Sequence, residues 1–160
     1  MKYYIFWRGA IEDHAEPHGY LSKIEDEVGV PNHILISVNS PGSPAAKTPA
    51  VGDNYSLKAV LPLWFWDTTR MTEKYPEIFT VQHAKEILEF FNKYKDQVPV
   101  VIAHCDAGIS RSAGVIAALS KITEGDDEYY WDRGPYVPNT LVYNTILREH
   151  YGHGTAFKEM

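Results

Sequence analysis

A chain of 160 residues with 44% hydrophobic content is long enough to close one globular core over residues 1–160, and it holds no apolar run near the ~18 residues of a membrane span. A formal charge of -6 argues against the broad basic face that nucleic-acid binding needs, although a local positive pocket survives inside an acidic protein; neither nucleic acid nor a membrane is expected as a partner. One cysteine forms no internal disulfide, and no charged leader joined to an apolar segment opens the sequence, so the cytoplasm is the expected compartment.

Residues 2–7 read as an opening strand, followed by a polar connector and a short helix over 19–27. Residues 33–38 carry a β-branched run and read as a second strand. The Pro-, Gly- and Ala-rich stretch 39–55 is the one long irregular segment; it is too short to link domains and reads as a surface loop. Residues 58–65 form a third strand, in which Pro62 marks an edge or a bulge. A helix is expected over 76–95, because Val81, Ala84, Ile87, Leu88, Phe91 and Tyr94 recur at helical spacing while Glu86, Glu89 and Lys93 lie off that stripe.

Residues 98–103 read as the central strand. The small apolar segment 112–123 reads as a buried helix, with Gly114 marking close approach to a neighbouring strand. Pro138-Asn139 opens a closing helix over 139–151 that Gly152 ends. Strands separated by helices in this order imply an α/β fold: a mostly parallel central sheet flanked by helices on both faces.

The chemistry lies in the run His104-Cys105-Asp106-Ala107-Gly108-Ile109-Ser110-Arg111-Ser112. An apolar strand leads into a thiol, then a short loop, a cation and the start of a helix. A free thiol has a reference pKa near ~8.5, so only a small fraction is ionised at neutral pH. A helix N-terminus, converging backbone N–H groups and a guanidinium all favour the anion. The same donors form a concave nest for a tetrahedral dianion, and Arg111 can grip two of its oxygens with a fork that lysine lacks. Gly108 tolerates positive φ, which lets successive amides turn inward. The plain alternative is an inert buried cysteine in a strand-to-helix turn. Against it, Asp106, Ser110, Arg111 and Ser112 make a polar loop of a kind that cores avoid. As the only cysteine, Cys105 has no second thiol in the chain to trap an oxidised form, so peroxide inactivation should reverse only through an external thiol or a backbone sulfenamide.

This run resembles the His-Cys-x5-Arg-Ser/Thr signature of the cysteine-dependent protein tyrosine phosphatase superfamily, and Gly108 and Ser110 bring it nearest to the dual-specificity branch. The layout over 34–151 is similar to compact tyrosine phosphatases predicted in bacteria and phages, and Pro138-Asn139 is a familiar dual-specificity feature. The resemblance implies a phosphotyrosine phosphatase-like fold and phosphoryl transfer in two steps from phosphotyrosine, with phosphoserine and phosphothreonine as further substrates, in a phosphorylated protein or peptide. It implies Cys105 as nucleophile and phosphate held by Arg111 with the amides of Asp106, Ala107, Gly108, Ile109 and Ser110. Ser112 would donate to the sulfur, with a first-turn backbone hydrogen bond as its plainer role. No cofactor and no metal are implied.

Such chemistry needs a proton donor for the leaving oxygen, commonly worth ~10²- to 10⁴-fold. Asp67 ends a strand-like run where a polar turn begins, with one helix and one strand between it and Cys105, and is the candidate; a turn or capping aspartate is its plain reading and Asp53 the reserve. Trp66 precedes Asp67 directly, which departs from the Trp-Pro-Asp form of the larger enzymes and puts a mobile closing loop in doubt. His104 should turn its ring away from Cys105 and brace the loop, with Asn139 as a second support. The Asp106 carboxylate is expected to point outward while its amide donates, since a carboxylate facing a dianion would repel it.

The connector 124–137 carries Tyr129, Tyr130, Trp131, Arg133 and Tyr136, and either walls the substrate cleft or packs onto its own helices. The close pairs His14/His18 and His150/His153 lack the cysteine or carboxylate spacing of a metal site and read as solvated or packing residues. Phosphoinositide or RNA 5′-phosphatases share the loop but often add basic residues to it, and Asp106, Ala107 and Ile109 are not basic. A silent phosphotyrosine-binding module would usually lack the cysteine, the arginine or the acid. A sulfurtransferase gives Asp67 no task, and a small arsenate reductase would carry its loop near the N-terminus.

Overall fold

The computed structural model describes residues 1–132, 134–152 and 158. Four strands, β1 (Lys2–Trp7), β2 (His33–Asn39), β3 (Leu57–Trp64) and β4 (Val100–Cys105), form one sheet in the order β1-β4-β2-β3. Every pairing is parallel, so all four carboxyl ends meet at one rim. There Trp7 pairs with Cys105, Ser37 with His104, and Asn39 with Trp64. Pro62 lies on β3, an edge strand, where its missing N–H costs no ladder bond on the open side.

Helices α1 (Arg8–Glu12) and α2 (Tyr20–Ile24) cover one face, and α3 (Val81–Tyr94), α4 (Arg111–Glu124) and α6 (Thr140–Tyr151) the other; α5 (Glu128–Asp132) joins α4 to α6. The strand alternation sets what each face receives. Val101, Ala103 and Cys105 enter the larger cluster with Ile87, Phe91, Val115, Ile116, Leu119 and Ile146, while Val100 and Ile102 join Ile11, Tyr20 and Ile24. Helix α4 is buried from Arg111 through Ser120, between the sheet and α6. A Cβ on Gly114 would stand 2.8 Å from the Asn139 carbonyl oxygen and 3.1 Å from Val142 Cβ. The close approach is therefore to the start of α6, not to a strand as expected.

Helix α3 coincides with its apolar stripe and starts at Val81 rather than at residue 76 as expected. Thr80 caps it, with Oγ1 accepting from the His83 N–H while the Thr80 N–H donates to His83 Nδ1. The five-residue helices α1 and α5 fall in segments expected to be connectors. Among the described residues no helix is long and apolar enough to cross a membrane.

Candidate active site

The loop between β4 and α4 is shaped by its carbonyls. The Asp106 carbonyl accepts from the Arg8 N–H at 3.3 Å, Ile109 from Val137 at 3.0 Å and Ser110 from Asn139 at 2.9 Å. Neighbouring segments thus pull the loop carbonyls outward, and among the described residues no protein acceptor takes the N–H groups of 106–110. Gly108 has φ +69, and a Cβ there would lie 2.8 Å from backbone atoms of Phe6 and Trp7. Both conformation and space therefore demand glycine. Ser110 occupies the N-cap of α4 yet makes no side-chain cap; its hydroxyl donates instead to Asp67 Oδ1 at 2.7 Å. The first-turn amides of α4 are left to add to the anion nest.

Cys105 is 2% exposed, and its Sγ lies 3.0 Å from Ser112 Oγ, itself fully buried. Arg111 closes the loop from the far side. Its Nη1 donates to Ser40 Oγ at 3.1 Å and to the Phe65 carbonyl at 2.9 Å, and its Nη2 donates to Asp106 Oδ2 at 3.1 Å. Both Nη1 hydrogens are engaged, which leaves Nε–H and one Nη2–H as the fork that can meet two oxygens of one anion.

The Asp106 side chain is a correction to the sequence reading. Rather than pointing away, its Oδ2 binds Arg111 and accepts from Ser40 Oγ at 2.6 Å. Burial alone would raise its carboxyl, but the Ser40 and Arg111 hydrogen bonds and the charges of Arg111 and Arg8 outweigh that and hold it below the usual carboxylate range. Attraction to a fixed guanidinium wins over solvation of the carboxylate.

Asp67 sits just past β3, over the loop. Its Oδ1 accepts from Ser110 Oγ and from Asn139 Nδ2 at 3.0 Å, and the same Asn139 nitrogen donates to the Thr68 carbonyl at 3.2 Å. Asn139 Oδ1 meanwhile caps α6 through the Val142 N–H at 3.0 Å. Asn139 thus joins the loop, the α6 terminus and the Asp67 turn. Asp53 is elsewhere: its carbonyl accepts from Lys58 Nζ, near the amino end of β3 and across the sheet from Cys105.

Beneath the loop runs a buried polar chain. His104 Nε2 and Ser37 Oγ are 2.6 Å apart, Asn39 Nδ2 donates to the Ser37 carbonyl at 3.0 Å, and Asn39 Oδ1 accepts from Arg8 Nη1 at 2.9 Å. Arg8 also pairs with Glu12 at 3.1 Å and donates to the Pro44 carbonyl at 2.8 Å. Burial drives the His104 imidazole down to about 4, so the ring is neutral at physiological pH and acts as a strut. The ring lies on the face of β4 away from the sulfur, as alternation requires. Arg8, Ser37, Asn39 and Ser40 were missed by sequence reasoning. Their signal was polar residues at the carboxyl ends of two strands, where a parallel sheet gathers its ligand-facing groups.

No protein-family model matches the chain, and no curated protein matches it. Among solved structures, the human tyrosine phosphatase-like serine/threonine/tyrosine-interacting protein aligns over 92% of this chain and 90% of its own, with a TM-score of 0.62 and 17% identity. Human DUSP28 aligns over the same shares, with a TM-score of 0.60 and 13% identity. The chain shares its fold with these two structures.

Within this fold the aromatic connector is partly structural. Trp131 packs edge-on against Tyr143 with centroids 4.9 Å apart, and Tyr130 and Trp131 lean on the main core. Tyr129, Tyr130 and Tyr136 form one ring cluster, while Val137, next in sequence, bonds the loop at Ile109. Among its described residues the connector packs onto its own helices and meets the loop through Val137. Arg133 and His153 lie outside the described residues.

Proposed function

We propose that the protein is a phosphomonoester hydrolase that removes phosphate from phosphotyrosine, and from phosphoserine and phosphothreonine, in protein or peptide substrates through a cysteinyl-phosphate intermediate. The observation that carries this reading is the double hydrogen bond from Ser110 and Asn139 that holds Asp67 over the loop containing Cys105. A carboxylic acid and a thiol on opposite sides of an amide-lined bowl are what in-line phosphoryl transfer requires.

In the first step Cys105 Sγ forms a bond to phosphorus and the ester P–O bond breaks. The loop amides and the Nε/Nη2 edge of Arg111 stabilise the equatorial oxygens. The hydrogen bonds from Ser110 and Asn139 both fall on Asp67 Oδ1, which leaves Oδ2 as the oxygen through which a proton passes to the leaving group. In the second step ionised Asp67 takes a proton from water as its oxygen attacks phosphorus. The S–P bond breaks, and the Ser112 hydroxyl, 3.0 Å away, stabilises the departing thiolate. Cys105 must stay reduced to attack, and the cytoplasm is the compartment that fits.

The test is phosphate release from a panel of phosphotyrosine, phosphothreonine, phosphoinositide and 5′-triphosphate RNA substrates, with the Cys105→Ser protein as control. Turnover of phosphotyrosine peptides by the wild type alone is expected. Preference for the lipid or the RNA would replace the substrate class, and binding without turnover would make the protein a phosphotyrosine reader.

A further inference from the structure

Arg111, Ser40 and Asp106 close a three-membered ring of contacts: guanidinium to hydroxyl at 3.1 Å, hydroxyl to carboxylate at 2.6 Å, carboxylate to guanidinium at 3.1 Å. The ring fixes a negative charge at the mouth of a site meant for anions. The Asp106 side chain is 46% exposed, so it keeps a solvent-accessible side besides the one on Arg111. An oxygen held about 2.9 Å from Nη2 lies within about 6 Å of Asp106 Oδ2, well inside the screening length of physiological salt. Arg8, the other cation whose charge reaches Asp106, is already engaged by Glu12, Asn39 and the Pro44 carbonyl.

We propose that Asp106 is a specificity-determining residue that filters by charge: locked onto Arg111 by Ser40, it disfavours esters bearing a second phosphoryl group beside the scissile one and selects isolated monoesters on weakly charged carriers. This rests on the phosphatase reading above and narrows its substrate class. A lone dianion seats on the Nε/Nη2 edge and the amides, and the guanidinium lies between it and the carboxylate. A second phosphoryl group projects beyond that edge and meets Asp106 without an intervening cation. Ser40 contributes no charge, so it positions Arg111 but does not select.

Two measurements test this. Calorimetry on Cys105→Ser protein compares inorganic phosphate with pyrophosphate, with and without Asp106→Asn. Kinetics compare a singly phosphorylated tyrosine peptide with the same peptide carrying an adjacent second phosphotyrosine. The expected result is that Asp106→Asn shifts both ratios about tenfold toward the more highly charged ligand, while Ser40→Ala lowers kcat on both peptides and leaves their ratio within about twofold. Equal losses on both ligands in Asp106→Asn would reduce Asp106 to a prop for Arg111 and overturn the proposal, as would failure of every variant to bind either anion. Asp106→Ser replaces Asp106→Asn if the latter does not fold. Absence of any phosphomonoester turnover would remove the phosphatase reading, while the calorimetric ratio would still report on the charge filter.

Discussion

The Cys105 loop and the Asp67 turn complete one site by different means. The loop is a contiguous run of residues whose shape follows from a strand end, a glycine at φ +69 and a helix start. Asp67 depends instead on two side chains far along the chain, Ser110 and Asn139, which reach back to its Oδ1. The Cys105 half is contiguous in sequence and held from outside at its carbonyls; the Asp67 half is assembled by side chains from distant positions. The first half should fail all at once when its atom is changed, and the second should weaken by degrees.

The largest effect should come from Cys105→Ser. Turnover falls by at least about 10⁴-fold, while calorimetry still detects phosphate, because the amides and Arg111 remain. Residual turnover near wild type would remove the sulfur from the mechanism. Asp67→Asn comes next, with a loss of about 10²- to 10³-fold on alkyl phosphates and much less on activated aryl phosphates, which need little protonation to leave. Equal losses on both in a leaving-group series would point to another acid.

The strut under the loop should show in stability. His104 binds a proton in the unfolded chain near its ordinary value of 6.5 but, when folded, only at about 4. Its neutral burial therefore stabilises the fold fully above pH 6.5, and that contribution is lost as pH falls toward 4, at most about 3 kcal/mol. Urea titrations at pH 7, 5.5 and 4.5 should show this fall, and His104→Gln should flatten it; equal slopes in the two proteins would exclude His104 as the cause. The smallest effect expected is that of Asn139→Asp, which keeps the α6 cap but trades the donor facing Asp67 for a second carboxylate. We expect kcat to drop about tenfold with the leaving-group sensitivity of Asp67→Asn and little change in Tm. A drop in Tm without that sensitivity would make Asn139 a cap alone.

The same division governs how far the sequence could be read. Strands β2 and β4 were legible because fully buried parallel strands read as apolar runs, and the loop because its residues are consecutive. The start of helix α3 lies five residues beyond the expected one because the residue completing its capping box is His83 rather than the usual glutamate or glutamine. Helices α1 and α5 are each too short to display a period. Gly114 announced a close approach but not the partner, which only packing against α6 specifies. Asp67 could be nominated by position, yet Ser110 as its donor could not, since an N-cap serine ordinarily accepts from its own helix. The turn of Asp106 toward Arg111 depended on Ser40, a residue of the irregular segment with no periodicity to mark it.

Strand β1 has a single neighbour, β4, and Lys2 finds its register only opposite Val100. Strand β1 must wait for β4, far along the chain, before it can pair at all, the kind of distant contact that slows folding. Until it docks, Gly108 lacks the wall of Phe6 and Trp7, and the Asp106 carbonyl lacks the Arg8 amide. Removing residues 1–8 would therefore strip the Cys105 loop of that wall and of the Arg8 amide without touching the sulfur.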